Sequence, residues 1–233
     1  MRDANNTPDW SRAIRSGTAV LIMTKAPRPG EVKTRLEPLL GRNGCAELQR
    51  ELIRHTVGWA AAAADHAWVA YSPPDAREEI AELVPSGTSM FPQTQGHLGR
   101  RLLHAVGVIS DAFAGRLAVI GTDAPLLGPH QVQQAFTVLA DGHDACVVPA
   151  LDGGYCLIGL GRPIGLPFHL PPDSWGGTRV LELTLNLLSG AGYRTAQLAP
   201  VADLDVPADV HRLLSSSDCP PALRTVLSRA LAA

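Results

Sequence analysis

The sequence predicts an α/β fold: a three-layer α/β/α sandwich on a mostly parallel sheet. Three observations point there. Short apolar runs alternate along the chain with segments of helical periodicity. The first run, Thr18 to Thr24, is continuously apolar, as expected of a strand covered on both faces. Loops rich in Pro, Gly and charge follow the strands, where an open parallel sheet places its binding groups.

Taken in order, a loop runs from the first strand to about Arg35. Leu48, Leu52, Thr56 and Ala60 then mark one face of a helix. Trp68 to Tyr71 is a short second strand. Leu98, Leu102, Ala105, Ile109 and Phe113 recur at helical spacing, and Leu117 to Ile120 is again a buried strand. Val132, Phe136 and Leu139 predict a helix before two strands, Ala145 to Pro149 and Tyr155 to Leu160. A Pro-rich loop over 162–173 leads to a helix on Val180, Leu181, Thr184, Leu187 and Leu188, then to a strand near Thr195 to Leu198. Parallel strands need crossover helices, and a continuously apolar strand needs them on both faces.

Residues 1–16 are polar and charged, with no apolar stretch of a signal peptide, and are expected to be a flexible tail; 17–233 form one domain. The 233 residues are 45% hydrophobic and 18% charged, with a formal net charge of -2. A chain of this size buries roughly 70–75% of its unfolded surface and needs no disulfides or metals for stability. The charge balance argues against nucleic acid as a partner, and no apolar run is long enough for membrane insertion. Cys45, Cys146, Cys156 and Cys219 show no paired spacing, and the expected compartment is the cytoplasm.

The loop after the first strand concentrates positive charge. Lys25, Arg28, Lys33 and Arg35 face a single Glu31, and Lys25 and Lys33 are the only two lysines in the protein. Gly30 permits a turn that other residues resist. An ammonium on a flexible stem suits a phosphate charge that moves during reaction, and Arg35 suits a bidentate grip. The segment has neither the spacing of a P-loop nor a G-x-G-x-x-G.

Carboxylates are expected at strand ends. Asp123 follows a buried strand, and Pro125 turns the chain away from the sheet. Asp203 and Asp205 are expected at the end of the last strand, with Pro207 and Asp209 opening a helix. Such groups suit Mg²⁺, which takes one or two protein carboxylates and fills its shell with water and substrate phosphate. Asp152-Gly153-Gly154 is either a hairpin turn or a place where a ligand approaches the backbone while Asp152 serves as base. Trp175-Gly176-Gly177-Thr178 opens a helix, with Thr178 as a cap or the local amides as an anion site. Gln95-Gly96-His97-Leu98-Gly99 also precedes a helix, and there His97 is expected to be a surface or capping residue.

In this order, K-x-P-x-P-G-x-V-K-T-R-L at 25–36, Q-G-x-L-G at 95–99, G-T-D-x-P at 121–125, D-G-G-Y-x-L-I-G-L at 152–160, W-G-G-T at 175–178 and D-x-D-x-P at 203–207 form an ordered set. The set resembles the GT-A-like family of nucleotide-diphospho-sugar transferases often labelled arsenosugar-biosynthesis glycosyltransferases. The K-T-R-L and D-x-D-x-P ends also resemble 2-phospholactate guanylyltransferases and, more loosely, molybdenum-cofactor nucleotidyltransferases.

The resemblance implies a GT-A fold and a nucleotide or nucleotide-sugar donor bound with Mg²⁺ or Mn²⁺. Asp123 and Asp205 would be metal ligands. Lys25, Gly30, Lys33, Arg35, Gln95 and Gly96 would bind nucleotide and phosphate. Gly153, Gly154, Trp175 and Thr178 would meet a small-molecule acceptor. Lys33, Asp123 and Asp152 would be catalytic. His97 and Arg100 stand where the family usually has acidic residues, and the motif at 175–178 has one extra glycine. Glycosyl transfer is the first expectation. Nucleotidyl transfer to a phosphorylated acceptor with release of pyrophosphate is the alternative, and a nucleotide-sensing module without turnover is a third reading.

Overall fold

β1 (Thr18–Lys25) is buried along its whole middle. Its side chains alternate between two cores. Val20 and Ile22 enter one, and Ala19, Leu21 and Met23 the other. This two-sided burial is the physical content of the unbroken apolar run. The computed structural model describes residues 16–232; the expected tail falls, apart from Ser16, outside the described residues.

The chain continues through α1 (Glu37–Ala63), β2 (His66–Ser72), α2 (Arg77–Ala81), β3 (Ser89–Pro92), α3 (Leu98–Ser110), β4 (Arg116–Gly121) and α4 (Pro129–Ala140). It then forms β5 (Ala145–Pro149), β6 (Tyr155–Leu160), α5 (Val180–Gly190), β7 (Thr195–Gln197), α6 (Pro207–Ser215) and α7 (Pro221–Leu231). The seven strands lie in the order β3-β2-β1-β4-β6-β5-β7. All neighbours pair parallel except β6, which is antiparallel to both β4 and β5.

Helices cover both faces. Ile53 and Val57 of α1, Ile80 of α2 and Val132 and Phe136 of α4 pack on one side. Leu102, Val106 and Ile109 of α3 and Leu188 of α5 pack on the other. A third cluster joins Leu48 and Leu52 of α1 to Val210 and Leu213 of α6 and Leu223 and Leu227 of α7. No helix among the described residues is long and apolar enough to cross a membrane.

Two departures from expectation bear on the site. β7 ends at Gln197, so Asp203 and Asp205 stand in an irregular loop six and eight residues beyond it rather than at its end. The loop still tracks the sheet edge, because Leu198 N–H donates to the Val147 carbonyl at 2.8 Å and Val201 N–H to that of Pro149 at 2.9 Å. Also, α1 begins well before Leu48 and is interrupted at Gly41, whose φ of 66° no helix accommodates.

Candidate active site

The topology brings distant loops to one edge. β1 and β4 are parallel, so their carboxyl ends put the loop after Lys25 beside the one holding Asp123. Because β6 runs antiparallel to β4 and β5, the turn from β5 into β6, holding Asp152, comes to the same edge. The loop after β7 brings Asp203 and Asp205. These segments and the N-terminal part of α3 surround a cavity of about 460 Å³. Lys25, Lys33, Asp123, Asp152, Asp203 and Asp205 all line it.

Lys33 and Asp123 meet directly. The ammonium forms an ion pair with Asp123 Oδ1 and donates to the Leu204 carbonyl at 2.8 Å. The Lys33 side chain is 4% exposed, whereas that of Asp123 is 62% exposed, so the carboxylate faces open space with its charge anchored from below. Lys33 is also the one non-glycine described residue with positive φ, at 50°, immediately before a turn of 3-10 helix over Thr34–Leu36. Leu204 N–H donates to the Asp123 carbonyl at 2.8 Å, which ties the two carboxylate loops together.

Asp205 lies on the rim in an ion pair with Arg35 at 2.6 Å. Its position is set by Asp209, whose Oδ2 accepts from the amides of Asp205 and Val206 at 3.0 and 2.9 Å while Oδ1 accepts from Arg212. Asp209 therefore sits in the first turn of α6 and reaches back to the amide of its N-cap, Val206.

Asp152 lies in the connection between β5 and β6, where its Oδ1 accepts from Gly154 N–H at 2.9 Å. This is the hairpin reading of D-G-G, and the turn still puts Asp152 on the cavity wall. Burial, and next the negative charge of Asp152, raise the Asp203 carboxyl above its ordinary value. Cys156, whose thiol donates to the Val201 carbonyl, is pushed up to about 12 by burial and then by Asp203, Asp152 and Asp123. Asp203 and Asp152 thus crowd each other without a cation of their own among the described residues, beside Asp123 and Asp205, which are paired with Lys33 and Arg35. All are oxygen donors, and the crowding fits a hard divalent cation. Among the described residues no three His, Cys, Asp or Glu side chains form a preformed cage. The fit is to an ion held by one or two carboxylates, with substrate oxygens and water completing its shell.

Several expected residues lie elsewhere. Arg28 pairs with Asp75 and Glu79, so of the basic loop's four cations only the two lysines line the cavity. Gly30 has a φ of 80° and shapes the loop without lining the cavity, and Arg35 reaches only the rim, through Asp205. Gln95 and Gly96 are exposed and do not line the cavity; the Arg100 side chain passes close to Gly96. Gly153 is committed to packing: a Cβ there would come within 2.0 Å of the Thr178 carbonyl oxygen, and the Gly153 carbonyl accepts from Leu181 N–H. Thr178 is exposed and makes no cap, since α5 starts with no side-chain hydrogen bond. Gly154 and Trp175 do line the cavity. His97 caps α3 by accepting from Arg100 N–H at 3.4 Å.

Sequence reading missed three polar groups. Gln49, on α1, donates to the Lys25 carbonyl and to the hydroxyls of Thr24 and Thr122, tying the first helix to the ends of β1 and β4. Gln93, just past β3, donates to the carbonyls of Thr24 and Ala70 and accepts from Arg101 Nε at 2.6 Å. Arg101 itself lines the cavity. A signal for it was present: Leu98, Arg101 and Ala105 share the apolar stripe of α3, so a guanidinium stands where packing alone calls for an aliphatic group.

The chain has the fold of nucleotide-diphospho-sugar transferases. A protein from Desulfovibrio desulfuricans G20, provisionally described as a nucleotide-diphospho-sugar transferase, is 27% identical and superposes with a TM-score of 0.81 over 94% of this chain and 96% of that one. A Methanothermobacter nucleotidyl transferase is 16% identical with a TM-score of 0.56, covering 92% of this chain and 99% of that one. A Mycobacterium tuberculosis H37Rv protein in complex with manganese is 16% identical with a TM-score of 0.50, covering 86% and 99%. The last two share the fold. No curated protein matches in sequence. The profile of one family matches residues 56–176, more than half of the chain, which therefore belongs to DUF2064, described as uncharacterized protein conserved in bacteria.

Proposed function

We propose that this protein is a metal-dependent transferase acting on a nucleotide-activated donor, with glycosyl transfer from a nucleoside-diphosphate sugar to a small acceptor as its reaction. The Lys33–Asp123 pair supports this most directly. It puts an anchored ammonium and an open carboxylate side by side over the carboxyl ends of two adjacent parallel strands. That is where a donor's diphosphate would find positive charge and a cation its ligand.

Asp123 and Asp205 would hold Mg²⁺ or Mn²⁺, with Asp203 close by. When bound, the metal would supply Lewis-acid stabilisation of the departing diphosphate. Lys33, released from part of its pairing with Asp123, would neutralise the same leaving group, with Lys25 beside it. Gln49 and Thr122 would keep the ends of β1 and β4 in register. Asp152 would take the proton from the acceptor hydroxyl as that oxygen bonds to the sugar carbon and the carbon–phosphate oxygen bond breaks. Its Oδ1 is held by Gly154 N–H, which fixes the orientation of the carboxylate.

A second reading, nucleotidyl transfer, is favoured by the proposed metal ligands Asp123 and Asp205 coming from separate loops and not from one D-x-D, and the fold is shared with a nucleotidyl transferase. The discriminating experiment is a thermal-shift panel of nucleoside triphosphates and nucleotide sugars with and without Mg²⁺ and Mn²⁺, followed by product analysis. A ligand at 100 times its Kd adds about 2.7 kcal/mol, a shift of several degrees in a domain this size. Metal-dependent stabilisation by nucleotide sugars alone supports glycosyl transfer, and by triphosphates alone the second reading. Binding without product with any acceptor makes the protein a nucleotide sensor, and no binding at all refutes the proposal.

A further inference from the structure

The cations around the cavity are engaged, with one exception. Lys33 is held by Asp123 and the Leu204 carbonyl, Lys25 Nζ donates to the Glu31 carbonyl at 2.7 Å, and Arg35 is paired with Asp205. Arg101, the one arginine among the described lining residues, makes a single hydrogen bond, from Nε to Gln93 Oε1. No acidic side chain among the described residues pairs with it. Its two terminal nitrogens, with four of the five N–H groups of a guanidinium, have no acceptor among the described residues.

This arrangement is built. Gln93 is 3% exposed, and its amide nitrogen is fixed by the Thr24 and Ala70 carbonyls at 2.9 and 2.6 Å, so its oxygen presents one rigid acceptor to Arg101. Burial depresses the guanidinium below its ordinary value. A half-buried charge without a counter-ion carries a desolvation cost that an anionic ligand relieves. Beside it, Leu98 and Leu102 line the cavity, and the Trp175 indole packs against Gly99 of the same helix. The wall around this planar cation is therefore apolar and aromatic.

We infer that Arg101 binds an oxyanion group of the acceptor, a phosphate or a carboxylate, at a subsite separate from the place where Lys33 meets the donor's phosphates. The assignment to the acceptor rests on the proposed transferase reading; the anion site itself does not. A guanidinium with both terminal nitrogens free offers the bidentate fork that such groups take. Gln93 is a positioning residue, since it acts through Arg101.

The test uses the full chain, wild type and the variants Arg101→Gln and Arg101→Lys. Inorganic phosphate and, separately, acetate are titrated calorimetrically, with and without a saturating magnesium nucleotide, which blocks the Lys33 region. Wild type is expected to bind one of the two anions in the nucleotide's presence. Arg101→Gln should weaken that binding by about 10- to 100-fold, and Arg101→Lys by less, while nucleotide affinity changes little. A response to phosphate identifies a phosphorylated acceptor, and one to acetate a carboxylate acceptor. Should Arg101→Gln fail to fold, as judged by its melting transition, the loss in Arg101→Lys decides. Anion binding that is absent in wild type, or equal in all three proteins, overturns the inference. So does a parallel loss of nucleotide affinity, which would move Arg101 to the donor site. If no nucleotide binds wild type yet phosphate or acetate binds through Arg101, the anion site stands and the transferase reading falls.

Discussion

The amide of Leu204 donates to the carbonyl of Asp123 at 2.8 Å, so the chain leaving β4 and the chain entering α6 are joined by main-chain atoms. Lys33 completes the junction from the other side through the Leu204 carbonyl. Three loops from well-separated parts of the sequence are thus fixed to one another independently of Asp123's own side chain. The carboxylate is held ready over the cavity while the backbone bears the structural role, which is how preorganised charge is kept at a reacting centre.

That division gives a first prediction. Asp123→Asn removes a charge 62% exposed and leaves the main-chain junction intact. The fold should be kept but stability should fall by about 1–3 kcal/mol, because the Lys33 ammonium, only 4% exposed, loses its counter-charge and keeps the Leu204 carbonyl. Turnover should fall by about 100-fold or more, the scale of losing one key electrostatic group. Urea denaturation and steady-state rates on the same preparation check both, and a variant that retains metal-dependent activity would show that Asp123 holds no metal.

Lys33 separates its side-chain and backbone roles. Lys33→Ala should weaken nucleotide binding more than Lys25→Ala, because Lys33 alone pairs with Asp123. Lys33→Gly should be as defective as Lys33→Ala in binding but more stable by about 1 kcal/mol, since a φ of 50° disfavours any Cβ. Equal stabilities of the two variants, measured by denaturant midpoint, would mean the loop relaxes out of the left-handed conformation.

What the sequence made legible follows from which interactions are local. β6, Tyr155–Leu160, and β5, Ala145–Pro149, have the expected ends because each contains four consecutive buried residues. β3, Ser89–Pro92, was invisible: four residues closed by a proline have no period to read, and only pairing with β2 makes them a strand. α7 was missed although Leu223 and Leu227 stand one turn apart, because two apolar positions identify a helix only once α1 is seen beneath them. In the candidate site, three residues with a chemical signature in the loops that follow strands, Lys33, Asp123 and Asp152, line the cavity. Gly153 was misread, because a glycine needed for close packing on Thr178 and one needed for a ligand look the same in sequence. Gln93 has no local signature at all; its importance comes from the three partners that folding assembles around it.

The start of β1 offers a prediction on pH. Asp65 Oδ2 accepts from Thr18 N–H at 2.8 Å and from its hydroxyl at 2.9 Å, and these bonds hold the carboxyl below its ordinary value. A carboxylate with a depressed folded-state pKa adds stability above its unfolded value and loses it as pH falls through the folded one. The advantage of wild type over Asp65→Asn should therefore be present at pH 7 and shrink below about pH 4, the ordinary range of an aspartate. Denaturant midpoints of the two proteins across that range measure it, and a constant difference would mean that shape, not charge, makes the contact.

Gly99 and Trp175 provide the sharpest test of the cavity wall. A Cβ on Gly99 would lie 2.2 Å from Trp175 Nε1 and 2.4 Å from Cε2, a clash a rigid indole cannot absorb without rotating. The indole nitrogen is buried with no hydrogen-bond partner, so no polar contact opposes its displacement. Gly99→Ala should destabilise the protein by about 1–3 kcal/mol, the cost of overpacking, and shift Trp175 emission to the red. In a Trp175→Ala background the obstacle is gone. The same substitution then replaces a helical glycine by alanine and should stabilise by up to about 1 kcal/mol. The sign of the Gly99→Ala effect thus reverses with the residue at 175, and a double-mutant cycle reads it directly. Equal effects in the two backgrounds would mean that the indole does not rest on this helix in solution.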